Sequence, residues 1–302
     1  MQSEPPRHCD HRFFAMPHAR KNDFRCPSKR AFTLVELLVV IGIIGVLVGM
    51  LLPAVQRARE SGRRTACANN IRSAGIALRS YESGRKVLPP AIDIAPRPDL
   101  PGGTEHAWSS FILPQIEHNE LASRIDYEKH WNAPGKNNAA ADHKISIYIC
   151  PSGIVSYPGK QDYGGIMGTS IVPTGAENPA GGGDFSSTGG LIHRPLQLAT
   201  FTDGLSHTLL VAESADRGVT LDGQVTEIGL SKWANGTNSF AQNTSFINTP
   251  DVQNIRSRHP GGAHGVFADG GLRFLSENMD PDVLAAICTR NGQEASASGA
   301  LQ

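Results

Sequence analysis

A chain of 302 residues with 28 Lys and Arg against 28 Asp and Glu is formally neutral. That balance excludes a dedicated nucleic-acid binder, which needs clustered excess cations to displace counterions. Apolar residues make up 39%, with 32 Gly and 20 Pro, enough for a substantial core in one or two folded domains joined by many turns.

Residues 1–30 are basic: Arg7, Arg12, Arg20, Lys21, Arg25, Lys29 and Arg30 stand against Glu4, Asp10 and Asp23. Such an end tends to stay on the cytoplasmic side of a membrane, although Arg57, Arg59, Arg63 and Arg64 follow closely on the other side of the next segment. His8, Cys9, Asp10 and His11 read as a metal-binding run in composition, within a stretch expected to be removed. Met16 offers an alternative start that would shorten that stretch.

The most informative segment is AFTLVELLVVIGIIGVLVGMLLPAV, Ala31 to Val55. From Thr33 onward it holds about 20 residues interrupted only by Glu36, enough to cross a bilayer as a helix. A plain anchor has no need of that carboxylate, whose burial in hydrocarbon costs about 2.5–3.5 kcal/mol at the bilayer centre. Pro53 removes a helix hydrogen bond, so a kink is expected there.

Lys29 to Ile41, KRAFTLVELLVVI, resembles the type IV prepilin leader of bacterial pilins and type II secretion pseudopilins. The resemblance implies cleavage between Ala31 and Phe32 by a prepilin peptidase, N-methylation of Phe32, and a role for Glu36 in assembly by neutralising a neighbouring subunit's terminal amine. It departs from the family in one place, since such leaders usually end in Gly and this one ends in Ala31. The implied setting is single-pass in the bacterial inner membrane, with the N-terminus cytoplasmic, the C-terminal domain extracytoplasmic, and other pilin-like subunits as partners in a periplasmic or surface fibre.

Beyond Pro53 a helical period resumes: Cys67, Ile71, Ala74, Leu78 and Tyr81 fall on one face, while Arg57, Arg59, Arg63, Arg64, Arg72 and Arg79 mostly occupy the remainder, near anionic headgroups or in water. The division expected is a leader over 1–31, a transmembrane half-stem over 32–53, an amphipathic half-stem over 54–83 and a globular domain over 84–302. A second helical run is expected from Trp108 to Tyr127, started or kinked by Pro114. KISIYIC, Lys144 to Cys150, alternates Ile145, Ile147 and Ile149 and predicts a half-buried strand; Tyr157 to Gly190 reads as long loops with short strands. Thr208 to Glu213 predicts another strand after an Asp203-Gly204 turn. Val266-Phe267 and Leu272 to Leu275 flank Asp269-Gly270, which predicts a hairpin with a type I′ turn. The fold class expected is α+β: a long, pilin-like N-terminal helix followed by an antiparallel, β-rich domain with long loops.

Five cysteines are present. Removal of the leader leaves Cys67, Cys150 and Cys288, so at most one intramolecular disulfide forms and its pairing stays open. His259, Asp203, Asp269, Ser206 and Glu213 supply the residue types of acid–base chemistry, but none stands in a catalytic spacing. A non-enzymatic protein without an obligatory cofactor is therefore expected.

The stem, Cys67 to Ile71 (CANNI), Leu88-Pro89-Pro90, Cys150-Pro151-Ser152, Asp203-Gly204, Ser206 to Thr208, Glu213-Ser214, and His259 with Asp269-Gly270 together resemble a large bacterial family of prepilin-type proteins. That family carries a domain of unknown function marked by His, nine residues, then Asp-Gly; His207 stands where Asn is usual. Major pseudopilins commonly bind calcium in a loop, which makes Asp203, Glu213 and Asp269 calcium candidates by composition. Three functions follow as expectations: an assembling pseudopilin-like subunit first, then a single-pass protein that displays its domain as a binding module without polymerising, then an envelope enzyme.

Overall fold

The computed structural model describes residues 33–171, 188–217, 231–249 and 253–292. Ala31, Phe32 and the run from His8 to His11 lie outside the described residues. The chain divides into two units, Met1–Pro53 and Ala54–Gln302, and one helix, α1 (Leu34–Arg85), contributes to both.

The start of α1 is set by a reciprocal capping box. The Thr33 hydroxyl accepts from the Glu36 N–H at 3.2 Å, while Glu36 Oε2 accepts from the Thr33 N–H and from its hydroxyl, each at 2.9 Å. Glu36 therefore has a local use even in a simple anchor, a role readable as Thr-x-x-Glu and overlooked in the sequence. From Leu34 to Leu52 the large apolar side chains are exposed all round, the pattern of a helix whose solvent is lipid. Among the described residues this is the one helix long and apolar enough to span a membrane, and it runs on through Pro53.

The second unit contains, among the described residues, strands β1 (Tyr163–Thr169), β2 (Leu209–Glu213), β3 (Ser239–Gln242), β4 (Gly262–Phe267) and β5 (Leu272–Ser276). They form one sheet in the order β3-β1-β2-β4-β5. Three neighbouring pairs are antiparallel, whereas β1 and β3 run parallel. The domain is thus α+β, but its sheet is mixed where an antiparallel one was expected. Parallel partners need a long crossover, here containing β2, and no short-range sequence signal announces one.

Both faces of the sheet are covered. On one, the predicted stripe of α1 (Cys67, Ile71, Ala74, Leu78, Tyr81) is buried together with Tyr163, Leu210, Val211 and Val266. Gly75 sets the approach of α1 to β4, since a Cβ there would lie 2.5 Å from Val266 Cγ1. On the other, α5 (Pro281–Ile287), capped by Asp280 with Pro281 at its first position, shares a core with Ile166, Leu209, Phe240, Phe267 and Leu275.

The predicted run from Trp108 to Tyr127 forms as three short pieces: α2 (Trp108–Phe111), a 3₁₀ turn Leu113–Ile116 opened by Pro114, and α3 (Asn119–Arg124). With α4 (Lys136–Ala141) they enclose a third core of Leu113, Leu121, Trp131, Tyr148 and Trp233. The strand predicted at Lys144 to Cys150 is overturned, because Ser146–Tyr148 is a 3₁₀ turn. Ile145 and Tyr148, three apart, are fully buried there, a burial spacing that suits such a turn, and the Tyr148 hydroxyl donates to the Ser109 carbonyl at 2.8 Å. The hairpin between β4 and β5 forms as predicted, with a different turn. Phe267 accepts from the Gly270 N–H at 2.9 Å and Gly270 alone of the turn residues takes positive φ, +86°, giving a three-residue loop closed by glycine in place of type I′.

Beside the third core, His106 is buried with Nε2 donating to the Lys129 carbonyl at 3.1 Å. Burial pushes its pKa down to about 4. Because the folded value lies below the unfolded one, stability is full above pH ~6.5, falls as pH drops and the unfolded chain takes up a proton, and levels off below pH ~4. The drop attributable to this one group is about 3 kcal/mol. Denaturant titrations of wild type and His106→Gln across that range should show the slope reduced in the variant, and parallel curves would rule the assignment out.

Candidate functional site

Four separate segments bring chemistry-bearing side chains to one end of the sheet. Glu60 and Cys67 stand seven residues apart on α1, two turns and therefore one face. Cys150 lies two residues beyond the 3₁₀ turn, Glu213 ends β2, and His259 lies in the loop entering β4, where Gly261 and Gly262 take φ of +88° and +149°. A Cβ at Gly262 would lie within 2 Å of the Leu275 carbonyl oxygen, so only glycine lets that loop enter the β4–β5 pair here.

Cys67 and Cys150 form a disulfide with Cα atoms 5.1 Å apart; Cys288 is buried outside it. The bridge fixes α1 to the 149–150 segment, and that junction is reinforced by Asn70 Nδ2 donating to the Ile149 carbonyl at 2.9 Å and the Tyr163 hydroxyl donating to the Cys67 carbonyl at 3.4 Å. His259 faces the bridge. Its Nδ1 meets Glu60 Oε1 at 2.7 Å, and its Nε2 lies 3.5 Å from Cys150 Sγ and 3.7 Å from Glu213 Oε1. The other oxygen of Glu213 accepts from the His264 N–H at 2.9 Å. Cys67, Cys150, Glu213 and His259 are each at most 2% exposed, and their ligand atoms all lie within 4.8 Å of one another.

Electrostatics at the rim favour charge on Glu60. Burial raises its pKa, but hydrogen bonds from His259 and from Arg63, whose Nε lies 2.8 Å away, outweigh that and hold it below the usual carboxylate range. Of the other stem arginines, Arg64 stacks over the Phe274 ring at 3.8 Å.

Beneath the bridge lies a second buried ionic group. Lys160 Nζ sits 3.0 Å from Asp162 and 2.8 Å from Asp216, and Arg258 reaches Asp216 at 2.9 Å. Asp162 also accepts from the Cys150 N–H at 2.9 Å and the Asp216 N–H at 3.0 Å. Burial pushes Asp162 upward; burial also opposes the ionised form of Asp216, but the Lys160 ammonium outweighs it and holds Asp216 low.

The sequence-selected residues separate into two places. His259 and Glu213 join the cluster. Asp269 and Asp203 lie at the opposite end of β2 and β4: Asp269 accepts from the Gly271 N–H at 2.7 Å and pairs with Arg273 at 3.3 Å, and its N–H donates to the Leu205 carbonyl at 3.0 Å. Asp203 accepts from the Gly292 N–H at 2.7 Å, and Gly204 takes φ +97° in the expected turn. With six residues of β4 between them, His259 and Asp269 are about 20 Å or more apart along an extended chain. The calcium set Asp203, Glu213 and Asp269 therefore does not converge. Glu60, Lys160, Asp162 and Asp216 escaped sequence reasoning. Glu60 reads as one acid in an arginine-rich surface, and only its seven-residue spacing from Cys67 hinted otherwise.

An apolar N-terminal helix followed by an α+β domain is a pilin-like layout, and the helix fits a membrane anchor. In agreement, residues 26–52 match the prokaryotic N-terminal methylation motif. Residues 56–282 match the family described as a protein of unknown function, DUF1559, and the chain belongs to that family. No curated protein and no solved structure matches it.

Proposed function

We propose that the protein is a structural subunit of a type II secretion or pilus-like fibre. A prepilin peptidase releases it between Ala31 and Phe32, Phe32 is N-methylated, and the domain stands on the extracytoplasmic side of the inner membrane. Subunits then pack through their apolar helices, with Glu36 pairing with a neighbour's terminal amine. The observation that carries this reading is the methylation motif joined to a helix in which Glu36 is the sole charged residue between Thr33 and Gln56. A structural role in place of a catalytic one is supported by the near-complete burial of His259 and Glu213 and by the use of Asp203 and Asp269 in turns.

Glu36→Ala removes both the carboxylate and the capping box, whereas Glu36→Gln keeps a capping side chain and removes only the charge. Both variants should insert in the membrane and neither should appear in sheared fibres. Wild-type fibre yield from Glu36→Gln would refute charge pairing, and a displayed module that does not polymerise would give no fibres from any version. N-terminal mass spectrometry of the membrane-purified chain should find a methylated peptide beginning Phe-Thr-Leu.

A further inference from the structure

We propose that Cys67, Cys150, His259 and Glu213 form a binding site for a divalent cation of zinc's class when the two cysteines are in the dithiol state. The disulfide and the metal are then alternative occupants of one position.

The donor spacing supports this directly. Tetrahedral zinc with bonds of about 2.0–2.3 Å needs donors about 3.6 Å apart. His259 Nε2 already lies 3.5 Å from Cys150 Sγ and 3.7 Å from Glu213 Oε1; the sulfur pair has to open, and no other pair of donors stands more than 4.8 Å apart. Two thiolates, an imidazole and a carboxylate make a soft-to-borderline set suited to zinc and poorly suited to calcium or magnesium.

The surroundings are those of a ligand site as well. Glu60 at 2.7 Å from His259 Nδ1 would hold that nitrogen as the donor and turn Nε2, as a lone pair, toward the sulfurs; such a carboxylate behind a ligating histidine orients it and raises its basicity. Glu213 Oε2 is held by a backbone N–H, and Oε1 lies 3.3 Å from His264 Nδ1 and 3.7 Å from His259 Nε2. Among the described residues the ion-pair partners of this buried carboxylate are His259 and His264, with neither Lys nor Arg against it. A divalent cation facing two thiolates and one carboxylate leaves a net charge of −1, the same as the disulfide form with Glu213 ionised, so metal uptake on reduction adds no uncompensated charge to the buried cluster.

The interconversion balances. A dithiol reductant attacks the Sγ–Sγ bond, is itself oxidised to a disulfide, and passes two electrons and two protons to Cys67 and Cys150. Metal binding then releases two protons as the thiols become thiolates.

The test uses the full-length chain in detergent, carrying Cys9→Ser and Cys26→Ser so that leader thiols do not report. Cobalt(II) is the probe. After phosphine reduction under argon, one cobalt should bind per chain with sulfur-to-metal charge transfer and the intense visible bands of tetrahedral coordination, and the unreduced chain should show neither. Zinc should displace the cobalt and raise the melting temperature of the reduced chain. Glu60→Gln should weaken binding about 10–100-fold, and Cys67→Ser should abolish the tetrahedral signature. Because binding and folding are linked, a reduced chain that unfolds still decides the matter: zinc refolds it or the proposal fails. No cobalt uptake, an identical spectrum from the unreduced chain, or a zinc addition that leaves the melt unmoved each overturns the proposal.

Discussion

Lys160→Met is expected to cost about 3–5 kcal/mol of folding stability at neutral pH, the usual consequence of stripping one partner from a buried ion pair. The ammonium is 1% exposed and bridges two carboxylates that are fully buried. Asp216 retains Arg258 at 2.9 Å; among the described residues Asp162 retains neutral N–H donors, those of Cys150 and Asp216. The loss should shrink on acidification. Asp162 already has a raised folded-state pKa, and a group shifted in that direction stabilises the fold below its unfolded pKa and loses that contribution as pH rises through the folded one. Urea midpoints at two pH values measure this, and Lys160→Met with Asp162→Asn should cost about 1–3 kcal/mol less than the sum of the single changes. Additive losses with no pH dependence would contradict the pairing.

Cys67→Ala together with Cys150→Ala should lower stability by about 4.5 kcal/mol, taking chain entropy for a closed loop of this length. The bridge spans 83 residues of sequence, so nearly the whole of α2, α3, α4 and the third core lies within the loop it closes. The reduced wild type, in metal-free buffer, should match the double variant in denaturant titration. A loss under 1 kcal/mol would mean that the Asn70 and Tyr163 contacts hold the junction unaided.

The parts of this fold that were legible share a short range of action. The α1 stripe from Cys67 to Tyr81 repeats at the helical period because one continuous element faces one core, and the β4–β5 hairpin needs only Asp269-Gly270 between apolar runs. Where distant chain decides, local pattern misleads. Ile145, Ile147 and Ile149 alternate like a strand, yet Tyr148 is drawn into the core of Trp131 and Trp233, which winds the segment into a turn. β3, SFAQ, has too little apolar character to declare itself, and its place beside β1 depends on Phe240 meeting the small surface at Gly164. The cluster was half visible. Glu213 and His259 stood out as residue types, but the partners that give them geometry, Glu60 and the two cysteines, come from 63 or more residues away in sequence, and partial burial of a lone acid among arginines leaves no periodic trace.

The Cys67–Cys150 bridge also has a mechanical meaning. It joins the sheet-bearing part of the chain to α1 at Cys67, well before the helix ends at Arg85. A pull along the helix from its N-terminal end meets a covalent bond before it loads the apolar seam from Ile71 to Tyr81. That seam is thereby shielded from a load entering along the helix.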